Sequence, residues 1–176
     1  MSDTTPIHHA IGQAAEAKVL AALARLPEPW QFFSSVEWWA LGKHGERIGE
    51  ADVMVLHPHY GLVVIEIKAG AVYIKDGTWH YASGRPMKIS PPAQARRNRF
   101  EMHDKLAARI GKDAVQQLTI TDAVWLPDVQ WKATLPAEFP DRAFLLDRLN
   151  IHQPEIALKN LLLAANPKPL AWTRTQ

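Results

Sequence analysis

Ala51-Asp52-Val53-Met54-Val55-Leu56 and Leu62-Val63-Val64-Ile65-Glu66-Ile67-Lys68, separated by the corner His57-Pro58-His59-Tyr60-Gly61, decide how this chain is read. Two β-branched runs joined by a Pro/Gly turn predict a β-hairpin. Side chains alternate between the faces of a strand. Leu62, Val64, Glu66 and Lys68 therefore share one face, and Val63, Ile65 and Ile67 share the other. A carboxylate and an ammonium emerge together from an otherwise apolar strand. Burying such charges is costly unless they are paired or hold a metal.

The rest of the composition narrows the possibilities. A length of 176 residues suits one domain with a substantial core. The hydrophobic share of 47% and charged share of 22% are ordinary for a globular chain. The absence of cysteine removes disulfides, thiolate nucleophiles and cysteine-ligated zinc. It also fits a reducing compartment, so a cytoplasmic location is expected. The start MSDTTPIHHA lacks a signal-peptide pattern, and no apolar run is long enough to span a membrane. A formal charge of +2 neither demands nor excludes a nucleic-acid partner, so local clustering must decide.

Outward from the hairpin, residues 1–9 read as a loose arm and Ala10 to Leu26 as an Ala-rich helix ended by Pro27 and Pro29. Glu16 falls on or beside the inward face of that helix. Residues 30–38 predict a strand and the glycine-rich 39–50 a loop. After the hairpin, Asp76-Gly77 marks a turn between strands at 71–75 and 78–81. Ser90-Pro91-Pro92 opens a helix from Pro92 to Ile110, with Phe100, His103, Leu106, Ala107 and Ile110 expected inward. Strands are expected at 118–126 and 143–146, and a last helix at 154–165. Residues 10–166 would form one domain and 167–176 a tail or linker. The order is an α/β layer pattern with a mixed sheet rather than a doubly wound one.

Two carboxylates brought close repel when both are charged, and a divalent cation with a taste for hard oxygen ligands relieves that repulsion. Asp52 and Glu66 could hold Mg2+ or Mn2+ with the Ile67 carbonyl, and Glu16 could reach the same ion directly or through water. Lys68 could orient a water or stabilise charge developing on a phosphate. Gln94 could hold Lys68, a water or a phosphate oxygen. The bland alternative for Glu66 and Lys68 is a salt bridge at the sheet margin. No Gly-Lys-Ser/Thr phosphate loop and no Gly-x-Ser-x-Gly elbow is present. His57 and His59 flank Pro58 but lack a third zinc ligand.

The helical acid Glu16, Gly49-Glu50-Ala51-Asp52, Val64-Ile65-Glu66-Ile67-Lys68 and Pro92-Ala93-Gln94 together resemble the nuclease-related domain (NERD) family. That family lies within the PD-(D/E)xK, restriction-endonuclease-like superfamily. The resemblance runs from about Gly12 to Gln117. It departs at Gly12-Gln13-Ala14-Ala15-Glu16, where the family often has Gly-x-x-Gly-Glu. It implies a restriction-endonuclease-like core with a central mixed β-sheet flanked by helices. It also implies metal-dependent cleavage of a phosphodiester, DNA foremost, with Glu16, Asp52, Glu66, Lys68 and Gln94 as site residues. Attachment to a helicase or another DNA-processing module is frequent in the family, and many nucleases of this general kind work as dimers. The rival expectation is a non-catalytic nucleic-acid-binding or targeting domain on the same fold.

A nuclease must also hold the phosphate backbone. Arg96, Arg97 and Arg99 form a basic collar around one helix start, with Arg85 and Lys88 before them. Lys43 and Arg47 make the glycine-rich loop a possible substrate lip. Trp38 and Trp39 beside it could stack on unpaired bases.

Overall fold

A computed structural model describes residues 5–42 and 45–166, with side chains at 10–39 and 49–166. Helix α1 spans Thr5–Leu23. Its backbone thus begins inside the expected arm, five residues before Ala10. Strands β1 (Gln31–Gly42) and β2 (Gly45–His57) form a long antiparallel hairpin. The expected loop at 39–50 is therefore mostly strand. Its glycines do not break the ladder, because Trp38 lies directly opposite Gly49 and covers it. Strand β3 (Gly61–Ile67) follows the predicted corner and pairs antiparallel with β2. A small separate hairpin, β4 (Tyr73–Lys75) and β5 (Thr78–His80), turns at Asp76-Gly77 as expected, both residues having positive φ.

Helix α2 (Pro91–Ile110) is capped by Ser90, whose side chain accepts from the Ala93 N–H. A short helix α3 (Lys112–Gln116) was not legible in the sequence. Strand β6 (Ile120–Leu126) pairs parallel with β3, and β7 (Leu145–Asp147) pairs parallel with β6. Helix α4 (Pro154–Ala165) closes the described chain where expected. The result is a five-stranded mixed sheet in the order β1-β2-β3-β6-β7, so β3, the carrier of Glu66, is the central strand. The site sits at the end of the middle of the sheet, not at its edge.

The alternation read along β3 holds. Val63, Ile65 and Ile67 join the larger core with Val19 and Leu23 of α1 and Leu158, Leu161 and Leu162 of α4. Leu62 and Val64 join a smaller layer with Trp38, Ala51, Met54 and Met102 of α2. Glu66 belongs by alternation to the layer that α2 covers.

The inward stripe expected for α2 is corrected at Phe100 and Ile110, while Leu106 packs against the smaller layer as expected. Phe100 is 54% exposed and Ile110 is exposed too, whereas Pro91, Pro92, Ala95, Asn98 and Met102 are buried. The buried residues recur at i, i+4, i+7 and i+11, so the period is helical. Small and polar residues occupy it where the helix crosses the acidic end of the sheet, so counting large apolar residues selects the wrong face.

A Cβ at Gly49 would lie 2.3 Å from Trp38 Nε1. Gly49→Ala should therefore destabilise the domain by about 1–3 kcal/mol through overpacking. Urea denaturation of Gly49→Ala, Trp38→Ala and the double variant should show non-additivity, because removing the indole removes the clash.

Candidate nuclease-like site

Strand β2 leaves regular alternation where it reaches the site. Ala51 and Met54 both pack in the α2 layer, although an odd step separates them. Ser34 pairs with Val53 and Val36 with Ala51, so Ser35 stands across from Asp52. Ser35 has φ +48, a left-handed conformation that a non-glycine residue adopts at a cost of about 1 kcal/mol or more. The ladder from β2 to β3 is regular up to Val53–Ile65. One step further, Asp52 comes opposite Glu66, and directly opposed residues of antiparallel strands share a face. There the Asp52 side chain replaces a backbone partner: its Oδ2 accepts from the Ile67 N–H at 2.7 Å.

Glu66 is 2% exposed. Lys68 Nζ donates to Glu66 Oε1 at 2.6 Å and to Gln94 Oε1 at 3.1 Å. Asp52, Glu66, Lys68 and Gln94 are thus brought together as the sequence predicts. Glu16 stands near enough for its charge to act on Asp52. Asn98 was missed. Its amide donates to the Glu50 carbonyl at 3.0 Å and reaches Glu66 Oε2 at 3.5 Å. The signal was there in the spacing: Asn98 follows Gln94 by one helical turn and therefore shares its face.

The electrostatics are strained towards too much negative charge. Burial raises the Asp52 carboxyl, and Glu16 and Glu50 add to this. The Ile67 N–H and Lys68 oppose it. Burial and then the Asp52 charge push Glu66 up to about 7, against the pull of Lys68 and Arg97. An oxygen donor set with unrelieved repulsion fits a hard divalent cation. Among the described residues no three His, Asp or Glu side chains converge as a ready-made metal set. Any such ion would rely on Asp52 and Glu66 with a backbone carbonyl and water. That partial set suits Mg2+, which retains several waters.

The structure sorts the remaining sequence-predicted residues. Arg99 is paired with Asp122 at 2.6 Å, so a phosphate would compete with that carboxylate for its guanidinium. Arg96 donates to the Glu138 carbonyl at 3.1 Å but remains exposed. Arg97, Arg85 and Lys88 are exposed. Trp38, 7% exposed, is a core residue over Gly49, which corrects its reading as a stacking platform; Trp39 is 59% exposed. Lys43 and the Arg47 side chain lie outside the described residues.

With that geometry in place, the sequence comparison is decisive: the profile of NERD, the nuclease-related domain, matches residues 11–127. The chain belongs to the nuclease-related domain family. The matched span runs from α1 through β6 and contains Glu16, Asp52, Glu66, Lys68, Gln94 and Asn98. No match is found among curated proteins. The chain thus has an α/β core with a five-stranded mixed sheet flanked by helices, of which β1, β2, β3 and β6 lie within the matched span. No described helix is long and apolar enough to cross a membrane.

The raised Glu66 carboxyl yields a stability prediction with a definite sign. Folding favours its protonated form, so stability is highest below the unfolded pKa of 4.5 and declines as pH rises through about 7. The loss attributable to this group is about 3 kcal/mol. Glu66→Gln should flatten that decline. Urea midpoints of parent and variant at pH 5 and pH 8 should diverge, with the variant gaining relative stability at pH 8.

Proposed function

We propose that this domain is a nuclease that hydrolyses phosphodiester bonds in nucleic acid, DNA foremost, with Mg2+ or Mn2+ as cofactor. One observation carries the reading: two adjacent carboxylates, Asp52 and Glu66, are held together at a largely buried strand end, both raised by burial and Asp52 also by Glu16 and Glu50, with Lys68 beside them. A salt bridge alone would account for Glu66 and Lys68 but not for the surplus acids. A module that only bound a polyanion would be hindered by them.

Asp52 and Glu66 would hold the cation together with the Ile67 carbonyl, with Glu16 acting through water. The cation, when bound, polarises a phosphate and makes a coordinated water easier to deprotonate. Lys68 is held as a donor by Glu66 and Gln94. It therefore orients the attacking water and offsets charge that develops on the phosphate oxygens, rather than accepting the water's proton. Gln94 fixes the Lys68 side chain. Asn98 fixes Glu66 against α2, so the carboxylate stays aimed without a large entropic cost on binding. Arg97 and Arg96, on the exposed side of the same helix, would meet neighbouring backbone phosphates.

Across single-stranded, duplex and branched DNA, and RNA, cleavage of at least one substrate is expected with Mg2+ or Mn2+ and is lost on chelation. Asp52→Ala and Lys68→Ala should each lower turnover by about a hundredfold or more with the thermal transition retained. Glu16→Ala should cost about tenfold, as expected of an outer partner. Parent-like cleavage by both Asp52→Ala and Lys68→Ala would remove this assignment.

A further inference from the structure

Next to Lys68 the surface opens into a cavity of about 280 Å³ lined by Tyr81, Arg85, Pro86, Lys88, Ile89 and Gln94. Gln94 is shared between this cavity and the candidate site, because its Oε1 accepts from Lys68 Nζ at 3.1 Å. Both charged residues of the lining are cations, exposed to solvent, and none of the lining residues is acidic. The Arg85 guanidinium lies over the Tyr81 ring, 4.9 Å from its centroid. The turn that presents them is closed by two backbone bonds, Tyr81 N–H to the Arg85 carbonyl at 3.0 Å and Gly84 N–H to the Tyr81 carbonyl at 2.9 Å. Gly84 has φ +84, which glycine adopts without strain. Ile89 is half-exposed and gives the lining an apolar surface.

These are the parts of a stacking subsite. Aromatic rings and arginine planes both stack on unpaired bases, and lysine and arginine meet the phosphates on either side. At about 280 Å³ the space is of the order of a single nucleoside, and a base can reach an aromatic face only where it is unpaired.

We propose that this cavity receives one unpaired nucleotide adjacent to the scissile phosphate, so that the substrate is a single strand or a duplex interrupted by a gap or flap. The inference rests on the nuclease reading of the acidic centre. Tyr81 and Arg85 supply the stack, Ile89 an apolar contact and Lys88 a phosphate contact. Gln94 links occupancy of the subsite to the orientation of Lys68.

The test is fluorescence anisotropy of the full chain, with Ca2+ in place of Mg2+, on a single-stranded oligonucleotide, a blunt duplex and the same duplex with a one-nucleotide gap. The parent should bind the first and third more tightly than the second. Tyr81→Ala and Arg85→Glu should weaken binding of the single strand by about ten- to a hundredfold. Tyr81→Phe should keep parent affinity, whereas Tyr81→Leu, which keeps an apolar side chain against the core but loses the ring, should weaken single-strand binding with the thermal transition retained; parent-like binding by Tyr81→Leu would overturn the stack. Equal affinity of the parent for all three, or Tyr81→Ala and Arg85→Glu that both leave the single-strand preference intact, would overturn the subsite. Cleavage of the same substrates with Mn2+ separates the two readings. A parent that binds by these rules but cuts nothing refutes the nuclease and leaves the subsite standing. A parent that cuts, with a single-strand to duplex ratio unmoved by Tyr81→Ala and Arg85→Glu, refutes the subsite alone.

Discussion

A buried carboxylate at the end of the central strand is the constraint around which this domain is built. Glu66 lies beneath α2 with Asp52 across from it, and burial and like charge both work against its ionisation. Every nearby polar group of α2 addresses that problem. Gln94 holds the lysine that pairs with it, and Asn98 reaches its second oxygen. Ala95, between them on the helix, is small and fully buried, which lets the helix backbone approach the sheet. The face of α2 over the site is therefore chosen for polarity and small size, and further along Met102 and Leu106 return to ordinary core packing.

Two acids outside the site brace the elements that carry it. Glu138, in the loop after β6, accepts from Trp79 Nε1 at 2.8 Å and from the Ser90 hydroxyl that caps α2, while its carbonyl accepts from Arg96. One residue thus joins the β4–β5 hairpin to the start of the helix that bears Gln94. Asp128 does the same on the other side. It accepts from the Gly70 N–H at 2.8 Å, just after β3 ends, and is ion-paired with Lys18 of α1. Burial would raise the Asp128 carboxyl, but the Lys18 and Gly70 bonds prevail and lower it. Helix α1, which carries Glu16, is thereby tied to the strand end that carries Glu66 and Lys68. Rigid elements with outer hydrogen bonds are what a site needs to keep its groups aimed.

The polarity of the site also explains where a reading of residues alone fails. The hairpin, the face shared by Glu66 and Lys68, the turn at Asp76-Gly77 and helix α4 follow from strong local signals: alternation, turn chemistry and helical period. The extent of β1 and β2 does not. Glycines between residues 39 and 50 argue for a loop, yet opposite Trp38 a glycine is the residue that fits. The inward face of α2 fails because the hydrophobic count favours Phe100 and Ile110, while the sheet end beneath demands Asn98 and Ala95. Trp38 is drawn into the core and Arg99 into an ion pair for a related reason. Each has a partner distant in sequence, Gly49 for one and Asp122 for the other, which no spacing rule announces.

The chain by itself determined which residues bear the chemistry, because a carboxylate and a lysine two apart in an apolar strand have few tolerable explanations, and the upstream Asp52 and downstream Gln94 narrow them further. Folding decided how those residues meet. The parallel addition of β6 places β3 at the centre of the sheet, α2 closes over Glu66, and the break in β2 alternation opposite the strained Ser35 of β1 carries the Asp52 carboxylate to the Ile67 N–H. These outcomes depend on contacts between elements far apart in the chain. Their energies come from desolvation and packing, quantities that exist only once the layers have assembled.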